Sequence, residues 1–415
     1  MTRWLLLFED HHWPDLRPLA DLLPVPALAF GASHLADRWR SAVSAAAPDS
    51  SWLPVEARAA AVAAWREAPV ADTRRPQPQD ELLAINAAAL PGEWLRWRLD
   101  GDSPSSWTSG DRLVGARLPF ATAAPGLGRG AEFEAFLVGL GLPSVSVDAR
   151  LLRWPWDLVE WNLEALAADL ESMAPSVEGE LHPLAGVYEQ ERVAIGPGAR
   201  VDAYAVLDAR GGPIRIGAGV VVLSHTVVIG PCAVGAGTRL MGGFVGRSTI
   251  GPGCRIAGEV DSSVWQGWAN KGHHGFVGHT AVGEWVNLGA LTTTSDLKNT
   301  YGPVRVTVGG REVDTGQFKV GSFIGAHAKT GIGTLLPTGA SVGVAANLFG
   351  GGRYAPKHVP AFGWWDGAAM REHRFEKFIA TAKLAMARRE RPLLAAEEVA
   401  FKALHDRTRG EWAGT

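Results

Sequence analysis

Apolar residues recur at every sixth position through most of the second half of the chain. The residue after such an anchor is often glycine, and the fourth residue after it is small or β-branched. The anchors are Ile195, Val201, Leu207, Ile216, Val222, Val228, Val234, Leu240, Ile250, Ile256, Phe276, Val282, Leu288, Ile324, Thr330, Leu336, Val342 and Leu348. This period is typical of a triangular parallel β-helix in which three six-residue faces make one coil, so the pattern predicts roughly eight coils with the anchors inside.

The first 180 residues lack this period and alternate apolar runs of strand length with helical stretches. Buried strands are predicted at residues 4–8 and 28–30. Helices are predicted at residues 55–67, 133–140 and 151–173, and surface loops at residues 69–80 and 100–110. This alternation indicates an α/β fold.

Three domains follow from these patterns. The predicted bounds are 1–180 for the α/β domain, 181–365 for the β-helix, and 366–415 for a C-terminal helical cap whose apolar stripe has helical spacing. A chain of 415 residues exceeds the size at which one core usually stops growing, which agrees with more than one domain.

The six-residue pattern is interrupted at 241–249, 257–275 and 293–317. The last interruption predicts a β-hairpin that turns at Gly309 and Gly310. A polar stretch at 270–299, rich in histidine, lysine and amide side chains, lies across the second and third interruptions. Insertions in repeat proteins commonly build the binding face, so this stretch is the candidate site.

Composition excludes several classes of protein. The formal charge of −3 gives no basic footprint for nucleic acid. No apolar run reaches membrane-spanning length, and we expect a cytoplasmic protein. Cys232 and Cys254 occupy small-residue positions of the repeat, which predicts interior packing rather than reactive thiols.

Residues 272–290, GHHGFVGHTAVGEWVNLGA, resemble the acetyltransferase segment of the bifunctional enzymes that make UDP-N-acetylglucosamine. These enzymes join a glucosamine-1-phosphate N-acetyltransferase to an N-acetylglucosamine-1-phosphate uridyltransferase. VWQGWANKGHHGFVGH and AKTGIGTLLPTGASVGVAANLFGGG are similar to a divergent bacterial branch of that family. The resemblance implies a homotrimer of left-handed β-helices, with acetyl-CoA and a sugar phosphate bound between subunits, and an N-terminal domain that uses UTP and Mg²⁺.

The resemblance also implies roles for individual residues. His273 matches the general base that deprotonates the sugar amine, and an imidazole that titrates near neutrality suits that task. Substrate contacts are expected from Glu259, Lys271, Phe276, Asn287, Asp296 and Lys298. Acetyl-CoA contacts are expected from Ala290, Ala326 and Lys329.

Two positions depart from the better-known members of the family. Phe276 stands where they have a tyrosine that contacts the sugar phosphate, and Asp261 stands where they have a phosphate-binding lysine. The acceptor is therefore either glucosamine-1-phosphate or another amino sugar, with Lys298 as an alternative phosphate ligand.

The N-terminal domain departs further. FEDHHWPDLRPL replaces the usual glycine-rich nucleotide loop. Arg17 is a candidate triphosphate contact, and Asp157 or Asn162 is a candidate magnesium ligand, although Asp157 also fits as a helix cap.

Two other functions remain open from the sequence. His274 and His279, with His225 as a third ligand, suggest the zinc site of a γ-class carbonic anhydrase, which is also a trimeric left-handed β-helix. A non-catalytic trimeric scaffold that binds a sugar nucleotide is the other alternative.

Overall fold

The structure is a computed structural model that describes residues 2–69, 71–99 and 103–412. These residues form two compact units. The first contains residues up to Leu16, Leu22–Leu28 and Ser33–Arg153, and the second contains Arg17–Asp21, Ala29–Ala32 and the chain from Trp154 onward. The residues predicted as the helix 151–173 thus belong almost entirely to the second unit, where they form two short helices, Asp157–Glu160 and Asn162–Glu171.

A mixed six-stranded sheet forms the centre of the first unit. Its strands, in order across the sheet, are Ser51–Trp52, Arg3–Phe8, Glu81–Asn86, Arg112–Pro119, Ser105–Ser109 and Ser144–Ser146. The first three run parallel, and Arg112–Pro119 is antiparallel to both of its neighbours. Helices of this unit are Leu35–Ala46, Ala59–Ala64, Glu93–Leu99, Phe120–Ala123 and Phe133–Gly139.

The predicted strand at 4–8 and helix at 133–140 are confirmed, and Ala29–Phe30 is a buried strand in the second unit. The helix predicted at 55–67 is reduced to Ala59–Ala64. The loop predicted at 100–110 is wrong over Ser105–Ser109, because Trp107 is buried and draws this serine-rich segment into the sheet. Residues 70 and 100–102, parts of the two predicted loops, lie outside the described residues.

The second unit is a left-handed parallel β-helix of about 11 turns, followed by helices, which confirms the predicted fold class. We call its three faces A, B and C in chain order. Face A contains Ser176–Val177, Val193–Ile195, Ile214–Ile216, Cys232–Val234, Thr249–Ile250, Val264–Trp265, Ala281–Val282, Phe323–Ile324, Ser341–Val342 and His358–Val359. Face B contains Glu180–Leu181, Arg200–Val201, Val221–Val222, Asn270–Lys271, Asn287–Leu288, Lys329–Thr330, Asn347–Leu348 and Gly363–Trp365. Face C contains Gly186–Tyr188, Val206–Asp208, Thr226–Ile229, Phe276–Gly278, Thr293–Thr294 and Leu335–Leu336.

Two longer strands, Arg239–Gly246 and Arg255–Asp261, turn the corner from face B to face C without a break. Val245 and Val260 therefore fill interior positions where the sequence pattern seemed interrupted. Only the third interruption is an insertion, and it forms the predicted hairpin of Arg305–Val308 and Arg311–Asp314.

The apolar anchors other than Phe276 form one continuous interior cluster, together with Cys232 and Cys254. Both thiols are fully buried, and burial raises the pKa of each to about 12, so both cysteines are interior packing residues as predicted.

The turns from face A to face B, which we call corner AB, carry a column of aromatic rings. Trp268 stacks on Trp285 at 5.5 Å between ring centroids, and Trp285 stacks on His327 at 6.0 Å. The C-terminal helix Phe375–Ala387 packs on this column through Phe378, whose ring lies 5.7 Å from that of His327.

The C-terminal helices therefore lie along the side of the solenoid. Beyond the first helix, Arg389 donates to the carbonyl of Gly253, and Arg391 lies over the ring of Trp268. A helix of 13 residues is roughly 20 Å long, close to the span of four stacked coils. The second helix, Ala395–Thr408, packs Phe401 against His327.

Candidate active site

The turn at residues 272–275 joins face B to face C, at what we call corner BC. His273 and His274 at its centre are exposed. Gly275 has φ 135°, and a Cβ there would lie 2.1 Å from the carbonyl oxygen of Thr292. Only glycine fits this position, so the sequence forces a tight turn that presents two imidazoles on the outside of the rod.

A groove of about 550 Å³ lies beside this turn, on the corner BC side of face C. It is lined by His225, Val227, Gly243, Phe244, Gly258, Glu259, His274 and Gly275. Its glycines supply bare backbone, and its other residues supply two imidazoles, a phenyl ring and a carboxylate. Such a surface can bind a polar ring by stacking and hydrogen bonds.

The lining residues come from successive coils, so they recur along the sequence at intervals of about one coil. Glu259 was predicted as a substrate contact and lines this groove. Phe244 was missed, because its position fell in an assumed break of the repeat. Its Cα partner in the next coil is Glu259, and a correct register of the coils identifies the pair.

Phe276 is not an interior anchor, and this part of the predicted register is wrong. Val277 is fully buried and pairs with Val260, whereas Phe276 is half-buried on the outer side of face C and pairs with Glu259. The interior step from Lys271 to Val277 is six residues, but the next step to Val282 is five. The outward side chain of Phe276 is consistent with its predicted substrate contact.

Lys271 was predicted to contact the substrate, but its side chain is fully buried. It pairs with Ile256 on face B and has no exposed surface, because its side chain points into the solenoid. Its Nζ donates to the carbonyl oxygens of His273 at 2.7 Å and Ala257 at 3.2 Å. Burial lowers the pKa of Lys271 to about 8.

Asn287 lies on the outer side of face B in a row of polar residues. Its side-chain oxygen accepts a hydrogen bond from Asn270 at 2.8 Å, and its Cα partner in the next coil is Lys329. Burial lowers the pKa of the half-buried Lys329 to about 8. Ala290 and Ala326 lie at opposite corners of face B, so two of the residues predicted for acetyl-CoA flank this face and the third, Lys329, lies on it.

The remaining predicted contacts lie toward the turn from face C to face A. Asp296 is bound by Nδ1 of His279 at 2.8 Å, and this hydrogen bond holds the pKa of the carboxyl below its usual range. Asp261 forms an ion pair with Arg247 at 2.7 Å. The ammonium of Lys298 donates to the carbonyl of Pro303. The guanidinium of Arg247 thus places a positive charge beside Asp261, the position at which the better-known enzymes have a lysine.

Within one chain, the three histidines suggested as zinc ligands do not converge on a metal site. His274 and His279 lie at opposite ends of the strand Phe276–Gly278, and His279 is engaged by Asp296. Among residues 2–69, 71–99 and 103–412, no group of three His, Cys, Asp or Glu side chains is arranged to hold a metal ion.

The three residues predicted for nucleotide binding have partners within the chain. Arg17 forms an ion pair with Asp21 at 3.1 Å, and Asp21 also binds Arg407 at 2.7 Å. The first unit does not contain Arg17, which belongs to the solenoid unit.

Asp157 and Asn162 are buried in the solenoid unit and do not fit a magnesium site. The carboxylate of Asp157 accepts from the backbone N–H of Trp154 at 2.8 Å, and no side-chain cap bond is formed at this helix. The amide of Asn162 accepts from the N–H of Gly31 at 2.8 Å and donates to Thr249 at 3.0 Å. Asp157 therefore binds the backbone before this helix and does not cap it.

The loop after the first strand is held by carboxylates. Glu9 accepts from Nε of Arg58 at 2.9 Å, and Asp10 accepts from Arg112 at 2.7 Å. The backbone N–H of His11 donates to Glu134 at 2.8 Å. Acidic groups thus occupy amides that a phosphate-binding loop would leave free for its ligand.

Residues 5–176 match the family model described as sugar nucleotidyl transferase. The chain is also similar to the bifunctional sugar-1-phosphate nucleotidylyltransferase/acetyltransferase of Sulfurisphaera tokodaii, with 34% identity over 93 residues. That alignment covers 22% of this chain and 23% of the relative. The N-terminal part of the predicted resemblance is thereby supported at the level of sugar nucleotidyl transferases.

Two solved structures share 14% sequence identity with the chain. The Arabidopsis UDP-N-acetylglucosamine acyltransferase covers 56% of this chain and 92% of its own, with a TM-score of 0.26. The enzyme of the same name from Campylobacter jejuni covers 50% and 77%, with a TM-score of 0.20.

No helix among the described residues combines the length and apolar character needed to cross a membrane.

Proposed function

We propose that the chain acetylates the amine of an amino-sugar 1-phosphate with acetyl-CoA, as part of sugar-nucleotide synthesis. The observation that carries this proposal is the exposed His273 on a glycine-bounded turn beside the groove that contains Glu259 and Phe244. The name of the Sulfurisphaera relative, which joins both transfer activities, supports the same class of reaction.

The proposed chemistry uses His273 as general base. Its imidazole takes a proton from the sugar nitrogen as that nitrogen attacks the thioester carbon, a C–N bond forms, and the C–S bond then breaks. The CoA thiolate leaves and takes up a proton. Phe276 and Glu259, paired on the outer side of face C, are the proposed contacts of the sugar.

Nucleotidyl transfer from UTP by the N-terminal unit is the second part of the proposal. The family match over residues 5–176 supports it. No magnesium ligand is assigned, because the side chains of Asp157 and Asn162 accept hydrogen bonds from the backbone N–H groups of Trp154 and Gly31. Pyrophosphate release from UTP and an N-acetylated sugar 1-phosphate tests this part separately from acetyl transfer.

Replacing His273 by alanine is the direct test of acetyl transfer. Loss of a general base typically reduces turnover by about 10² to 10⁴-fold, and we expect a loss of that size in thiol release from acetyl-CoA. His182→Ala removes another exposed histidine of the solenoid and should leave the rate unchanged. Wild-type protein that is inactive with glucosamine-1-phosphate and with a panel of other amino sugars would refute acetyl transfer.

A further inference from the structure

A charged side chain occupies the inside of the solenoid at the candidate active site. Lys271 lies in the interior column of face B, where the other coils place apolar residues or a threonine. The fully buried apolar members of this column include Val201, Val222, Leu240, Ile256, Leu288 and Leu348. Enclosing an ammonium in such a column costs several kcal/mol before its hydrogen bonds are counted.

The hydrogen bonds of Lys271 fall on the turn that carries the candidate base. Its Nζ donates to the carbonyl of His273 at 2.7 Å and to that of Ala257, in the preceding coil, at 3.2 Å. Gly272 and Gly275, which bound the turn, have no side chains that could restrain it. The ammonium of Lys271 is thus the side-chain group that fixes the peptide between His273 and His274.

The direction of this peptide has a chemical consequence. The only cis peptide bonds in the described chain precede Pro18 and Pro231, so the 273–274 peptide is trans. In a trans peptide the C=O and the following N–H point in opposite directions. Because the carbonyl of His273 points inward to Lys271, the N–H of His274 points outward.

This outward N–H is free to bind a ligand. Among the described residues it has no hydrogen-bond acceptor, whereas the carbonyl of His274 accepts from the N–H of Leu291. A fixed backbone N–H beside a general base is the kind of donor that stabilises the oxyanion of an acyl-transfer intermediate.

We propose that Lys271 is a positioning residue that acts from inside the solenoid, holding the 273–274 peptide so that the His274 N–H faces the reacting acyl group beside His273. The catalytic part of this inference rests on the proposed acetyl transfer. The orientation of the turn does not, and it is open to a separate measurement.

The test replaces Lys271 by methionine, with Ile256→Met as a matched control in the adjacent position of the same column. Hydrogen–deuterium exchange over residues 272–276 should become faster in Lys271→Met and stay unchanged in the control, while the thermal midpoint is equal to wild type or higher. Lys271→Leu, which copies Leu288, serves if the methionine variant does not fold.

Kinetics supply the second measurement. The kcat for acetyl transfer should fall by about 10 to 100-fold in Lys271→Met with little change in the KM for acetyl-CoA, because the lost interaction is made in the transition state. Unchanged exchange in a folded variant overturns the positioning role. Faster exchange with unchanged kcat overturns its link to catalysis. An inactive wild type overturns the proposed reaction, and exchange alone then decides the positioning role.

Discussion

Lys271 is the residue whose environment differs most from what its chemistry suggests. A lysine in a polar stretch beside a predicted active site is expected to meet an anionic ligand in solvent. Here the side chain is fully buried, and its ammonium is paired with two backbone carbonyls. The residue therefore acts on the site through the main chain.

Stability should depend on pH through Lys271. Its pKa is lowered from 10.5 to about 8 in the folded protein, so between these values the unfolded chain binds the proton and the folded protein does not. The free energy of unfolding should therefore rise with pH across this window, by up to about 3 kcal/mol from this residue. Below pH 8 its contribution should be constant.

Denaturant unfolding of wild type and Lys271→Met between pH 7 and pH 10.5 checks this. Because the pKa of Lys329 is also lowered to about 8, the difference between the two proteins isolates Lys271. A difference that stays flat over this range would contradict a buried ammonium.

At the scale of elements, the site depends on turns that only particular residues can make. Corner BC passes through Gly243, Gly258 and Gly275, each with a positive φ, in three successive coils. Their backbone lines the groove, and the carbonyl of Thr292 lies against the last of them. Glycine here serves both the fold and the space for a ligand.

Gly275→Ala should destabilise the protein more than a matched corner substitution. At Gly275 a Cβ would meet the Thr292 carbonyl at 2.1 Å, whereas at Gly237, with φ 68°, nothing lies within 4 Å. We expect Gly237→Ala to cost about 1–2 kcal/mol from backbone strain alone, and Gly275→Ala to cost clearly more. Equal losses in denaturant unfolding would show that the turn relaxes around the methyl group.

At the scale of the whole solenoid unit, the C-terminal helices cover the aromatic column of corner AB. Phe378 is buried between the rings of His327, Phe362 and Phe401. Burial lowers the pKa of His327 well below its usual value, so this imidazole is neutral and packs as an aromatic ring. The C-terminal helices therefore pack along the side of the solenoid, on the aromatic residues of corner AB.

Phe378→Ala should cost about 3–5 kcal/mol, as is typical of deleting a buried phenyl ring. Leu384→Ala on the same helix is the control, because Leu384 is 71% exposed and should change stability by less than about 0.5 kcal/mol. Thermal unfolding of both variants measures the difference. A small effect of Phe378→Ala would mean that the helix packs weakly on the column.

The sequence by itself determined the β-helix, because a six-residue alternation of apolar, glycine and small residues fits only a chain that returns to the same interior three times per coil. It also determined the hairpin at Gly309 and Gly310 and the polar stretch that contains His273. These features depend on local pattern, which the sequence displays directly.

The tertiary structure alone decided which side chains face inward at the site. Some neighbouring interior positions are separated by five residues instead of six. A shift of the register by one residue moves a side chain to the opposite face of a strand. For this reason Phe276 lies outside, Val277 lies inside, and Lys271 points into the core. The register between stacked coils is set by packing between residues that are distant in sequence. This register decides which residues of each repeat face the interior, and a single repeat cannot.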